Sequence, residues 1–393
     1  MRDRLAIPVA IIAAHLVIGC GEPPAIAREP GEPLPDLTEA EMGRFLLGKA
    51  VFSRITSEEE GLGPSFNQTR CSDCHTRPVA GGWGTMDATL RKARRWENEQ
   101  CDLLEAEGGD LIQKRATEAL AATGFTGEYD PPDASAVVEL QALSTFGMGL
   151  IEAVPEEDII AAADPEDADG DGISGRVGRD LDGRISRFTG KAEWFSLYDF
   201  IDGALRTELG LTTPDYPTEE TLNGVPVPPA TDPMPEPEID EHGINLLVDF
   251  VRYLAPPARA AIDGPALADS VRAGELLFES VGCAACHTPT LHTGPSESKA
   301  LDRKPVNAYT DLLLHDLGPE AAGTCGLSAS PSEYRTAKLW GLRFKGRYMY
   351  DGRAVTLDES IEAHGGEAAA TRDAFRRLTP EERAELIRFL SIL

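Results

Sequence analysis

Apolar side chains recur at the three-and-four spacing of a helix in four separated stretches of the chain. Two are Gly43 to Phe52 and Gly243 to Leu254, the second stopped by Pro256-Pro257, which cannot continue a helix. The third is Arg272-Ala-Gly-Glu-Leu-Leu-Phe278. The fourth closes the chain: Thr379-Pro-Glu-Glu382 is a capping box with proline at the first helical position, ahead of Leu386, Ile387, Phe389, Leu390 and Leu393. Helix, polar segment, helix thus occurs twice, an internal duplication with a long insert in the first copy and not a short-period array.

A different apolar run, Leu5 to Ile18, follows a short arginine-bearing start and is too short to span a bilayer comfortably, so it reads as an export signal. No other segment is long and apolar enough to cross a membrane. Its end, Val17-Ile18-Gly19-Cys20, resembles a bacterial lipobox, in which Cys20 is acylated and anchors the mature chain; a plain cleaved signal is the alternative. Residues 21 to 36 are rich in Pro, Gly and Glu without periodicity and read as a tether. Residues 212 to 238 are proline-rich and read as an irregular surface loop within the first copy.

The 393 residues are enough for two or three domains, and 41% hydrophobic with 6% aromatic is ordinary for a globular chain. Charge narrows the partners. With 66 acidic against 37 basic residues the formal net charge is −29, which would repel a phosphate backbone and excludes nucleic acid. Such a surface suits a basic redox partner protein, or simply solubility.

Seven cysteines remain to be placed. Cys20 is the lipid candidate. Cys71-Ser-Asp-Cys74-His75 and Cys283-Ala-Ala-Cys286-His287 are two copies of C-x-x-C-H, the haem c attachment signal: two thiols add to the porphyrin vinyl groups and the next histidine lies beneath the iron. Zinc would want both pairs closing one tetrahedron, and a redox dithiol needs no histidine there. Cys101 and Cys325 are left, as a disulfide expected in an exported chain or as two buried thiols.

Each motif sits between a leading and a closing helix, as in a cytochrome c domain. The fold expected is all-α, with two cytochrome c-like domains each binding one covalent haem c. The boundaries are 1–19 signal peptide, 20–36 tether, 37–258 first domain and 265–393 second domain. The location expected is the periplasm, as a lipoprotein of the outer membrane.

Several further stretches carry a resemblance. With Asp311-Leu-Leu-Leu-His315-Asp-Leu-Gly318, Arg335-Thr-Ala-Lys-Leu-Trp340-Gly-Leu342, Tyr350-Asp-Gly-Arg353 and Glu362-Ala-His364-Gly-Gly-Glu367, the chain resembles the bacterial di-haem oxidoreductases from about Thr38 onward. That family, formerly called thiol-oxidoreductase-like, is related to di-haem cytochrome c peroxidases and MauG. The resemblance implies two facing haems, with peroxide or oxidative chemistry at the first and electron transfer through the second.

His75 and His287 are the proximal iron ligands from the motif itself. His364 lies where relatives place methionine or tyrosine on the second haem, so His287/His364 ligation is expected there, with Met349 as the alternative. His315 reads as a contact near the haem, and His242 and His292 as surface residues. Histidine in place of methionine lowers the reduction potential, which favours MauG-like oxidation of a protein or organic substrate over simple peroxide removal.

At the first haem, Glu152 of Phe146-Gly-Met148-Gly-Leu-Ile-Glu152-Ala-Val-Pro155 matches the family's glutamate and is the expected distal acid/base, or else a helix-entry glutamate. Met148 is the rival, since its sulfur would close that iron. Trp340 is the expected electron relay beside the second haem. Asp167-Ala-Asp169-Gly-Asp171-Gly172 has the alternating carboxylates of a calcium loop, but Gly178 stands at its twelfth position, so calcium competes with a tight Asp/Gly turn. A non-catalytic di-haem electron carrier is the alternative to the enzyme, and a gas sensor a third reading.

Overall fold

The computed structural model describes residues 26–393. The signal peptide and Cys20 lie outside the described residues. All four anticipated helices form. Glu39–Ser53 starts at a capping box between Thr38 and Glu41, and Glu241–Tyr253 is capped by the Asp240 carboxylate. Pro265–Ser280 extends the third stretch, and Pro380–Ile392 starts at the Thr379/Glu382 box.

These helices pack in two pairs. Glu39–Ser53 lies on Glu241–Tyr253, where the Phe250 ring sits 5.4 Å from Phe45 and 4.8 Å from Phe52. Pro265–Ser280 lies on Pro380–Ile392, with Phe278 and Phe389 5.6 Å apart. Each such ring, fully buried, contributes about 1.5–3 kcal/mol. Both crossings turn on a glycine: a Cβ on Gly48 would stand 1.9 Å from the Leu246 carbonyl oxygen, and one on Gly274 would stand 2.1 Å from that of Glu385. The duplication read from the sequence is therefore repeated in the packing.

The all-α expectation is wrong. The described residues are 34% helix and 14% strand, a mixed α/β structure with several small sheets. In the largest sheet, the central strand Thr89–Glu97 pairs antiparallel with Gln100–Asp102, Leu111–Ile112 and Ala136–Gln141. Its sequence hides it because two of its four buried positions, Lys92 and Arg94, are charged. Lys92 and Arg94 are 7% and 2% exposed and turn towards Asp110 and Glu193, with Lys92 Nζ 3.0 Å from Asp110 and Arg94 Nε 2.6 Å from it. Binary patterning cannot register a strand whose inward face is ion-paired.

Two hydrophobic cores result. The first is built around Phe45, Phe52, Phe146, Phe188 and Phe250, and the second around Phe278, Phe375, Leu386 and Phe389. The strap after residue 334 joins them, since Trp340 is buried in the first core and Leu342 in the second. Trp340 packs so tightly that a Cβ on Gly147 would meet its ring at 2.4 Å, and Trp83 returns the contact at Gly341 at 2.3 Å. A disulfide, Cys101–Cys325, with Cα atoms 5.7 Å apart, fixes the sheet to the chain ahead of the strap. Residues 28–34 run along the end of the Glu241–Tyr253 helix, with Leu34 N–H donating to the Tyr253 carbonyl at 2.8 Å. No described helix is long and apolar enough to cross a membrane.

Candidate active site

Cys71 and Cys74 span a single helical turn that ends at His75, so thiols and imidazole share one small region. None of the four motif cysteines forms a disulfide. Burial, reinforced by the Glu208 carboxylate, pushes the Cys71 and Cys74 thiols up to about 12, and burial does the same for Cys283. Burial also pushes His75 down to about 4, which keeps the imidazole neutral. Its Nδ1 is buried without a hydrogen-bond partner, although the Gly82 and Leu143 backbones lie near enough to offset part of the burial.

The second motif is better braced. His287 Nδ1 lies 2.9 Å from the Tyr309 carbonyl oxygen and His364 Nδ1 lies 2.7 Å from that of Ser360. A carbonyl only accepts, so both Nδ1 atoms carry hydrogen and both Nε2 lone pairs are left for a metal. Burial lowers the pKa of each ring, and the nearness of His364 lowers that of His287 further. The alternative, Met349, is on the same patch: its Sδ accepts from the Ser360 hydroxyl at 3.6 Å. Two neutral imidazoles with fixed tautomers are donors that would hold a haem iron, and the free thiols beside each proximal histidine would form its thioether links.

His315 is occupied on both nitrogens. Nε2 lies 2.8 Å from Asp311 and Nδ1 lies 2.8 Å from Glu367, with Cys286 Sγ 3.8 Å from Nδ1. Burial opposes its charge, but the bonds to Asp311, Cys286 and Glu367 win and raise its pKa to about 12. It is an imidazolium beside the second motif. Glu367, given no role by sequence reasoning, also accepts from Ser174 N–H at 3.0 Å, Ser174 Oγ at 2.9 Å and Asp316 N–H at 3.2 Å. It anchors the His364 loop to both halves. His242 and His292 are exposed, as expected.

Glu152 ends the short Met148–Glu152 helix. Its Oε1 accepts from the Leu197 N–H at 2.8 Å, at the start of the Leu197–Leu209 helix, and its Oε2 from Arg252 Nε at 2.7 Å. It borders a cavity of about 330 Å³ lined also by Val154, Glu156, Arg187, Phe195 and Ser196. Sequence reasoning placed this carboxylate among apolar neighbours. Its backbone neighbours Leu150 and Ile151 are buried, but its oxygens face a cation and an amide. Met148 is buried in the first core. Glu208 is a second acid the sequence did not flag: burial raises its pKa to about 7, and its charge acts on Cys71 and Cys74.

Asp167, Asp169 and Asp171 each bring an oxygen within 4.8 Å of the others. Gly172 N–H donates to Asp167 at 3.1 Å, and Ile173 N–H to Asp171 at 2.8 Å. The turn leads directly to Ser174, the partner of Glu367.

Residues 138–393 match the family described as "Di-haem oxidoreductase, putative peroxidase". The methylamine utilization protein MauG of Methylorubrum extorquens is 29% identical over 177 residues, 40% of this chain and 45% of MauG. The match thus spans less than half the length of that curated relative. Among solved structures, the diheme peroxidase BthA of Burkholderia thailandensis E264 aligns at 14% identity and TM-score 0.43, over 92% of this chain and 86% of BthA. The hydrazine synthase of Kuenenia stuttgartiensis aligns at 13% identity and TM-score 0.45, over all of both chains.

Proposed function

The chain belongs to the di-haem oxidoreductase family, whose match covers more than half of it, and from that premise we propose that it reacts with peroxide at the haem on His75 and passes electrons through the haem on His287. The observation carrying this reading is the asymmetry of the two motifs. His287 has a second neutral imidazole, His364, beside it. His75 has none: among the described residues the other histidines are exposed, doubly ion-paired or at the second motif. Held by His75, the first haem would supply peroxide binding; held by His287 and His364, the second would supply electron transfer.

The protein's part is positional. Cys71 and Cys74 tether the first haem, and Cys283 and Cys286 the second. Tyr309 and Ser360 hold His287 and His364 in the tautomer that presents Nε2. Glu152 is the proton carrier for peroxide, held in place by Arg252 and the Leu197 amide. Trp340, against Gly147 and next to Trp83 across Gly341, is the relay between halves. The carboxylates of Asp167, Asp169 and Asp171 hold calcium, oxygen donors matching a hard cation.

Two imidazoles on the second haem favour an oxidised protein or organic substrate, and the charge of −29 favours a basic redox partner. The working location is the periplasmic face of a membrane, anchored through Cys20. Optical and EPR spectra of the oxidised, haem-loaded protein test the reading: one high-spin and one low-spin iron are expected, and added peroxide consumes the high-spin signal. Two low-spin irons indifferent to peroxide would make the protein an electron carrier.

A further inference from the structure

A β-branched residue with a left-handed backbone is rare, because its Cβ crowds the neighbouring peptide. Thr189 adopts that backbone, at φ 66°, and so does Met349, also at φ 66°. The agreement extends to their surroundings. Phe188 and Trp194 form an isolated antiparallel bridge, as do Tyr348 and Ala354, and Ala192 and Gly352 are left-handed at φ 49° and 71°. Ser196 then caps Leu197–Leu209 and Thr356 caps Leu357–Glu362, each hydroxyl accepting from a backbone N–H at 3.1 Å. Every one of these residues precedes its counterpart by 160 positions, as 188 precedes 348.

The residues agree where the backbone does. Ser196-Leu-Tyr-Asp-Phe-Ile-Asp-Gly-Ala204 and Thr356-Leu-Asp-Glu-Ser-Ile-Glu-Ala-His364 share a hydroxyl at the first position, leucine at the second, an acid at the fourth and seventh and isoleucine at the sixth. The copies also meet at matching residues: a Cβ on Gly190 would stand 2.8 Å from the ring of Tyr350, its own counterpart. Contact between equivalent residues is what a two-fold relation produces. Each copy reaches its own motif. Asn67 N–H, four residues ahead of Cys71, donates to the Glu208 carbonyl at 2.8 Å. Glu367, three residues past His364, lies 2.8 Å from His315 Nδ1, which is 3.8 Å from Cys286 Sγ.

The repeat gives a counterpart to both ligand candidates of the second haem. His364 answers to Ala204, and Met349 to Thr189. A methyl group has no lone pair, and the Thr189 hydroxyl is engaged by Glu193 at 3.1 Å. Beyond this point the copies part, since the first helix runs on to Leu209 while the second stops at Glu362. We propose that Thr189–Ala204 is the first haem's copy of the ligand segment Met349–His364, and that Ala204, at the histidine's position, is the residue that denies the first iron a second protein ligand. The inference rests on the two-haem reading and adds to it a single determinant of which half reacts.

Haem-loaded parent, Ala204→His and Ala204→Leu are compared by haem count per chain and by EPR and optical spectra of the oxidised forms, with the peroxide reaction as a further readout. The parent should show one high-spin and one low-spin iron. In Ala204→His the high-spin signal should be lost and a second low-spin signal should appear, with the original low-spin signal unmoved and the peroxide reaction abolished. Leucine adds bulk without a lone pair and should keep the high-spin signal. Two haems in Ala204→His with the high-spin signal intact overturn the assignment alone. Loss of that signal in Ala204→Leu does the same, because ligation would not then be its cause. Two low-spin irons in the parent, or fewer than two haems there, overturn the assignment and the reading beneath it together. If Ala204→His does not mature, Ala204→Met supplies a thioether at the same position and is judged by the same signals.

Discussion

Replacing His315 with glutamine tests the buried charge triad beside the second motif. His315, Asp311 and Glu367 side chains are 5%, 5% and 13% exposed, and both ion contacts are 2.8 Å. The substitution leaves two covered carboxylates facing a neutral amide, and breaking a buried pair in this way costs about 3–5 kcal/mol. The pH dependence has a definite sign. The folded pKa is raised to about 12, whereas the unfolded imidazole titrates near 6.5, at about that reference value. The contribution is therefore complete below about pH 6.5 and is lost as pH climbs towards the folded value, by about 1.4 kcal/mol per unit. The parent should exceed His315→Gln by about 3–5 kcal/mol at about pH 6, with the gap narrowing towards about pH 9. Urea unfolding of both haem-loaded proteins across that range measures it. A gap below about 1 kcal/mol at the acid end, or one that widens with pH, refutes the buried imidazolium.

Other substitutions address single residues. Glu152→Gln should slow the peroxide reaction by about 10²–10⁴-fold with both haem spectra intact, measured by stopped-flow absorbance; unchanged kinetics would leave Glu152 as the anchor of Arg252 and the Leu197 amide only. His364→Ala should convert the low-spin EPR signal to high-spin, and an unchanged spectrum would transfer the ligand role to Met349. Replacing Cys101 and Cys325 by alanine removes a link across 224 residues and should cost about 2–5 kcal/mol in denaturant unfolding. Calcium at about 100 times its Kd should stabilise the parent by about 2.7 kcal/mol and leave Asp169→Ala unmoved, as read by thermal unfolding with and without chelator.

Much of the architecture was legible because its signals are local. Capping boxes lie three residues apart, apolar faces repeat within a turn, and C-x-x-C-H is contiguous, so the four helices and both motifs could be read directly. What escaped is held by pairs distant in sequence. The strand Thr89–Glu97 looks like a charged surface until Arg94 meets Glu193, 99 residues away. His315 looks like an ordinary histidine until Glu367, 52 residues on, takes its second nitrogen. Glu152 was singled out by its motif, but its surroundings were misjudged because Arg252 is 100 residues away.

The Cys101–Cys325 bond has a mechanical consequence. It bolts the sheet of the first half to the chain ahead of the strap, so separating the two would have to work against a covalent link as well as against packing.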